Sequence, residues 1–107
     1  MAALSIQERK RLRQIGHALN PVVMVGDKGL TENVIEELQR ALNDHELIKI
    51  KVAGEDREAR AQVIAEVAQT ANAEIVQTIG KIALLYKKAA KQNQKLSNLV
   101  RFAHLSN

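Results

Sequence analysis

Apolar and polar positions change their period several times along the chain, and each change marks an element. Ser5 and Glu8 have the spacing of a capping box, in which hydroxyl and carboxylate satisfy free helix N–H groups reciprocally. The helix they open is predicted over residues 6–18, with Leu12, Ile15 and Leu19 on its apolar face and Pro21 beyond its end. Val22–Val25 is a continuous apolar run, as expected of a strand buried on both faces. Gly26-Asp27-Lys28-Gly29 follows as a tight turn, and Thr31 stands where an N-cap would. Val34, Ile35, Leu38, Ala41 and Leu42 then recur at helical spacing, with His45 at the end of that helix. From Leu47 the period becomes two. Ile48, Ile50 and Val52 share one face of a strand, and Leu47, Lys49 and Lys51 share the other.

Asp56 is placed to cap a third helix, whose apolar positions are Ala59, Val63, Ile64, Val67, Ala68 and Ala71, and Asn72 is a suitable stop. Two strands follow over residues 75–79 and 82–86. Gly80-Lys81 between them fits a two-residue type II′ hairpin, which wants glycine first. The order α-β-α-β-α-β-β predicts an α/β fold: a mixed four-stranded sheet with packed helices, in which right-handed crossovers supply parallel strands and the hairpin an antiparallel one. After Lys87 the chain turns basic and polar before Leu96, Leu99, Val100 and Ala103 recur at helical spacing behind Ser97. Residues 1–87 are therefore read as one domain and 88–107 as a basic C-terminal extension. A helix this short is marginal alone, so the extension is either docked or without order of its own.

A chain of 107 residues suits one domain with a single modest core. It has no cysteine, and His17, His45 and His104 are too scattered for metal-ligand spacing. The apolar runs are too short to span a bilayer and the N-terminus shows no signal-peptide core, so a cytoplasmic setting without membrane association is expected. No catalytic constellation is visible: there is no thiol nucleophile, no G-x-S-x-G elbow and no clustered histidine and carboxylate set. A non-enzyme without cofactor is expected.

Charge is unevenly placed. Residues 1–28 carry five basic and two acidic side chains, residues 29–80 five and ten, and residues 81–107 six and none. Two basic ends around an acidic middle suggest a polyanion-binding surface built from the chain's extremities. Arg9, Lys10 and Arg13 fall on one arc of the first helix, a usable phosphate contact. Tyr86 and Phe102 are the only aromatic residues, so successive bases cannot stack on a row of rings. Nucleic-acid binding would rest on backbone contacts and shape. A strand, a Gly-x-x-Gly turn and a capped helix bring N–H groups to one spot at Gly26–Gly29, as a phosphate contact requires, although two glycines at this spacing by themselves mark an ordinary tight turn. It is not a Walker A loop.

Taken in order, Leu4-Ser5, Leu19-Asn20-Pro21-Val22-Val23, Val25-Gly26-Asp27-Lys28-Gly29-Leu30-Thr31 and His45-Glu46-Leu47-Ile48-Lys49-Ile50-Lys51 form a recognisable series. Glu55-Asp56-Arg57, Gln77-Thr78-Ile79-Gly80-Lys81 and Leu84-Leu85-Tyr86 complete it. The set resembles the CRM (chloroplast RNA splicing and ribosome maturation) domain, in its stand-alone bacterial YhbY-like form, over residues 4–87. The resemblance implies a fold similar to the C-terminal domain of bacterial translation initiation factor three. It also implies RNA as partner, ribosomal RNA in precursors of the large subunit, bound by a monomer. The family's RNA contact maps onto Gly26, Asp27, Lys28 and Gly29. The expected supporting residues are Arg9, Lys10, Arg13, Lys49, Lys51 and Lys81. Asp27 either faces the phosphate, weakening attraction, or caps the turn. Two other readings stay open: a general structured-RNA binder in translation, and a protein–protein adaptor using the acidic face Glu32, Glu36 and Glu37 together with the C-terminal apolar stripe.

Overall fold

In the computed structural model, which describes residues 4–106, every helix cap read from the sequence is formed. Ser5 Oγ accepts the Glu8 N–H at 3.1 Å and Glu8 Oε1 accepts the Ser5 N–H at 2.9 Å, opening α1 (Ile6–Gly16). Thr31 and Asp56 cap α2 (Glu32–His45) and α3 (Arg57–Ala71) by each accepting one backbone N–H, without the reciprocal bond. Asn72 ends α3 in the left-handed conformation, with φ 55°.

The strands are β1 (Pro21–Val25), β2 (Leu47–Val52), β3 (Glu74–Ile79) and β4 (Ile82–Tyr86). They form one sheet in the order β1-β2-β4-β3, with β1 parallel to β2 and β4 antiparallel to both its neighbours. The hairpin strand β4 is thus inserted between β2 and β3. Gly80 holds φ 57° while Lys81 stays at negative φ, the signature of a II′ turn.

The sheet separates two apolar layers. Ile48, Ile50, Val52, Ala83 and Leu85 face Leu38 and Leu42 of α2 and Ile64, Val67 and Ala71 of α3. Leu47, Val76 and Leu84 face Leu12 and Ile15 of α1. At Gly16 helix α1 approaches so closely that a Cβ would lie 2.6 Å from Leu84 Cδ2.

One expectation is corrected. β1 is an edge strand buried on one face only: Val23 and Val25 lie in the core, whereas Val22 and Met24 are 52% and 58% exposed. Helix α1 covers the part of the sheet around Leu47 and Leu84 and does not reach β1's outer face. Pro21 opens this strand, at an edge where a missing N–H costs no ladder bond.

The segment after Lys87 is docked. It contains α4 (Asn98–Arg101), capped by Ser97, and a 3-10 turn over Ala103–Ser106. Leu99 and Phe102 pack beside Leu12, Ile15 and Leu47. The anchor is Glu46, 2% exposed and at φ 62°. Its carboxylate accepts hydrogen bonds from Ala89 N–H at 2.9 Å, Gln92 Nε2 at 2.6 Å and Ser97 Oγ at 2.8 Å. Asn98 Nδ2 donates to the Leu47 carbonyl at 2.7 Å, and His45 Nδ1 lies 2.9 Å from the Leu96 carbonyl oxygen. Three consecutive residues of the α2–β2 corner therefore hold one segment some fifty residues later.

Candidate nucleic-acid interface

The carboxyl end of β1 runs into the glycine turn. The Gly29 N–H donates to the Gly26 carbonyl at 3.0 Å, with Asp27 and Lys28 exposed at the tip. Asp27 and Lys28 keep negative φ, and Gly29 takes φ 71°. Only glycine holds that φ without strain. Nothing stands within 4 Å of where a Cβ would be at Gly26 or Gly29, so a ligand can approach the main chain directly. Helix α2 begins just beyond, where Thr31 Oγ1 accepts the Val34 N–H at 3.2 Å. Its positive end adds to the attraction. Among the described residues the Asp27 side chain makes no hydrogen bond or ion pair, so it does not cap the turn.

Two backbone bonds bring further elements to the same edge. The Ala53 N–H donates to the Val25 carbonyl and the Val52 N–H to the Lys81 carbonyl, both at 2.8 Å. The ends of β1 and β2 and the β3–β4 hairpin therefore sit together. Lys51 pairs across the sheet with Met24 on one side and Ile82 on the other, and its side chain is exposed. Lys81 Nζ lies 3.3 Å from Glu55 Oε1, and that carboxylate is almost fully exposed. A surface pair of this kind is worth at most about 1 kcal/mol and exchanges readily for a phosphate. Lys49 is half-buried one pleat further back, opposite Leu84. With His17, Gln77, Ile79 and Ile82 it lines a depression of about 160 Å³.

The α1 arc lies apart from this edge. Arg9 Nη1 donates to the Ile75 carbonyl at 2.9 Å, near the start of β3 and away from the hairpin. That bond sits where the β3–β4 register shifts between Ile75 and Gln77. Lys10 is exposed beside it and Arg13 is half-buried.

The sequence did not reveal the open apolar row next to the lysines. Met24, Lys51, Ile82 and Ile79 are cross-strand partners in a single line over all four strands, about 14 Å wide. Met24 and Ile79 are 58% and 62% exposed. The one available signal was Pro21, which favours an edge strand.

A glycine turn at the end of an edge strand, beside a capped helix and surface lysines, gives this α/β module an open, basic loop edge. The chain belongs to the CRS1 / YhbY (CRM) domain family, whose model matches residues 4–87. It is 48% identical over 101 residues to "Probable RNA-binding protein PA4753" of Pseudomonas aeruginosa, covering 94% of this chain and 97% of that protein. A protein of Haemophilus influenzae named "RNA-binding protein" is 46% identical over 96 residues, covering 90% of this chain and 97% of its own length. The solution structure of SAV1595 from Staphylococcus aureus superimposes with a TM-score of 0.74 at 25% identity, over 89% of this chain and 98% of that one.

Proposed function

We propose that this protein binds structured RNA without catalysing a reaction on it, and that it acts in the cytoplasm on precursors of the large ribosomal subunit. The observation that carries the reading is the Gly26–Gly29 turn, with Gly29 at φ 71°, open space at both glycines and Lys28 at its tip. Lys51 and Lys81 share its edge of the sheet. The names of the Pseudomonas and Haemophilus relatives agree with RNA as the partner. Assignment to large-subunit assembly rests on the family resemblance. Phosphate contacts position such a protein, and the small number of aromatic rings leaves shape to provide selectivity.

Crosslinking in cells, followed by sequencing of the attached RNA and sedimentation of the particles, tests this reading. The expected result is enrichment of large-subunit ribosomal RNA in particles lighter than the mature subunit. Crosslinks confined to translating ribosomes would favour a general role in translation. Salt-insensitive capture of a protein, with no RNA, would favour an adaptor working through Glu32, Glu36 and Glu37.

A further inference from the structure

A second concavity lies on the opposite face of the sheet, between α3 and the edge strand β3. Its volume is about 570 Å³, within the range of small-molecule sites. Ala61 and Ile64 of α3 and Ile75 of β3 give it an apolar floor, and Arg57, Arg60 and Thr78 add polar groups. It reaches Gly80, so it opens beside the hairpin that carries Lys81.

Two observations say what would fill it. Arg60 is fixed by a 2.7 Å hydrogen bond from Nη1 to the Gly54 carbonyl, yet its Nε is buried with no partner. The Gly54 bond fixes the guanidinium and leaves its remaining Nη N–H groups for an anionic or carbonyl oxygen in the cavity. The positive charge is also unspent. Among the described residues Lys81–Glu55 is the one ion pair, and Asp56 Oδ1 is occupied by the Glu58 N–H at 3.0 Å. Neither Arg57 nor Arg60 has a carboxylate partner.

An apolar floor the size of a ring, with two unpaired arginines and a hydroxyl at its sides, matches one nucleotide. We infer that the α3–β3 cavity receives a single unpaired nucleotide of the bound RNA, its base against Ala61, Ile64 and Ile75 and its phosphate on Arg57 and Arg60. The inference rests on the RNA reading above and adds a site on the other face of the sheet. The strand would pass along the shared edge from the Gly26–Gly29 turn, over Lys81, to this cavity. The RNA recognised would then be a structured element with an unpaired residue, not a continuous duplex. Unpaired bases in loops and bulges can be splayed out and bound one at a time, and guanidinium planes are among the groups that hold them.

The test uses the full chain and three RNAs: a perfect hairpin, the same hairpin with a single-nucleotide bulge, and a short unstructured oligonucleotide. A nucleoside monophosphate serves as a fourth probe. Wild-type protein should prefer the bulged hairpin to the perfect one, and the Arg60 Nε–H resonance should shift on binding. Ala61→Phe places a ring in the cavity from an exposed position, and Arg57→Ala removes an exposed cation. Each should lower affinity for the bulged hairpin roughly tenfold while leaving the perfect hairpin unaffected. Equal affinity of both variants and wild type for the bulged hairpin would overturn this site and leave the RNA reading standing. No binding of any RNA by wild type would overturn both. A resonance shift with the monophosphate and none with the RNAs would reassign the cavity to a free nucleotide and overturn the inference.

Discussion

Ser97 Oγ donates a 2.8 Å hydrogen bond to Glu46 Oε1, and both residues are buried although 51 positions separate them. The carboxylate is held at a corner where its own backbone takes φ 62° and ψ −43°, a sparsely populated conformation that costs a non-glycine residue about 1–3 kcal/mol. Burial disfavours its charge. The hydrogen bonds from Gln92, Ala89 and Ser97, with the nearby charge of Lys88, outweigh burial and hold the carboxyl below its ordinary value of 4.5.

Stability should therefore depend on Glu46 ionisation. A carboxyl lowered in the folded state contributes fully above the unfolded value and loses its contribution as pH falls through the folded one. Wild-type stability should decline as pH drops below 4.5, and Glu46→Gln should be less stable at pH 7 with a flatter acid limb. Glu46→Ala leaves three donors without their acceptor and should cost about 3 kcal/mol or more. Urea denaturation across pH measures both effects. A Glu46→Gln profile parallel to wild type would remove the carboxylate from this role.

Truncation after Lys87 should leave a four-stranded sheet of reduced stability. It removes the packing of Leu99 and Phe102, the Asn98 bond to Leu47 and the three donors to Glu46. The expected loss is about 3–5 kcal/mol. RNA affinity should fall as well, because Lys88, Lys91, Lys95 and Arg101 go with the segment. An unchanged denaturation midpoint would show that the segment adds nothing to the fold.

In the glycine turn, the two glycines should respond differently. Gly29→Ala forces φ 71° on a residue with a Cβ and should destabilise by about 1 kcal/mol, whereas Gly26→Ala, at negative φ in open space, should be close to neutral. Gly29→Glu should cut RNA affinity sharply. Lys28→Ala should lower it modestly and reduce the slope of log affinity against log salt by somewhat less than about one unit. Asp27→Asn should tighten binding with no change in stability, since this side chain does not cap the turn. Filter binding at several salt concentrations, with thermal melts alongside, checks all five variants.

Gly16→Ala tests the closest approach of α1 to the sheet. Alanine favours a helix over glycine by about 1 kcal/mol, yet its Cβ would sit 2.6 Å from Leu84 Cδ2 in a buried position. The clash should prevail and give a net loss of about 1–2 kcal/mol. Adding Leu84→Val should recover part of that loss, which a double-mutant cycle would register as coupling.

Local signals were legible from the sequence. Ser5, Thr31 and Asp56 cap their helices through bonds to residues two or three positions away, so spacing alone revealed them. The alternation of Leu47–Val52 gave both faces of β2 correctly, because a period of two needs no knowledge of neighbours. What spacing could not show depends on distant partners. Glu46 reads as a polar boundary beside His45 until its contacts with Ala89, Gln92 and Ser97 are known. Val22 and Met24 look buried in sequence because their run is continuously apolar, and Pro21 is the one local sign that their strand lies at an edge. In the candidate site the turn was visible from its glycines. The cavity at Arg57 and Arg60 was not, since its other wall comes from β3.

The insertion of β4 between β2 and β3 has a kinetic consequence for a chain made from its N-terminus. The strand that bonds to both neighbours is the last of the four to be synthesised. Until Tyr86 has emerged, the nascent chain can pair β1 with β2 but cannot join β3 to them, and its apolar faces stay partly open. The corner residue Glu46 waits longer still, for Ser97. Folding should complete in one late step that closes both apolar layers together, a step dominated by contacts between residues far apart in sequence.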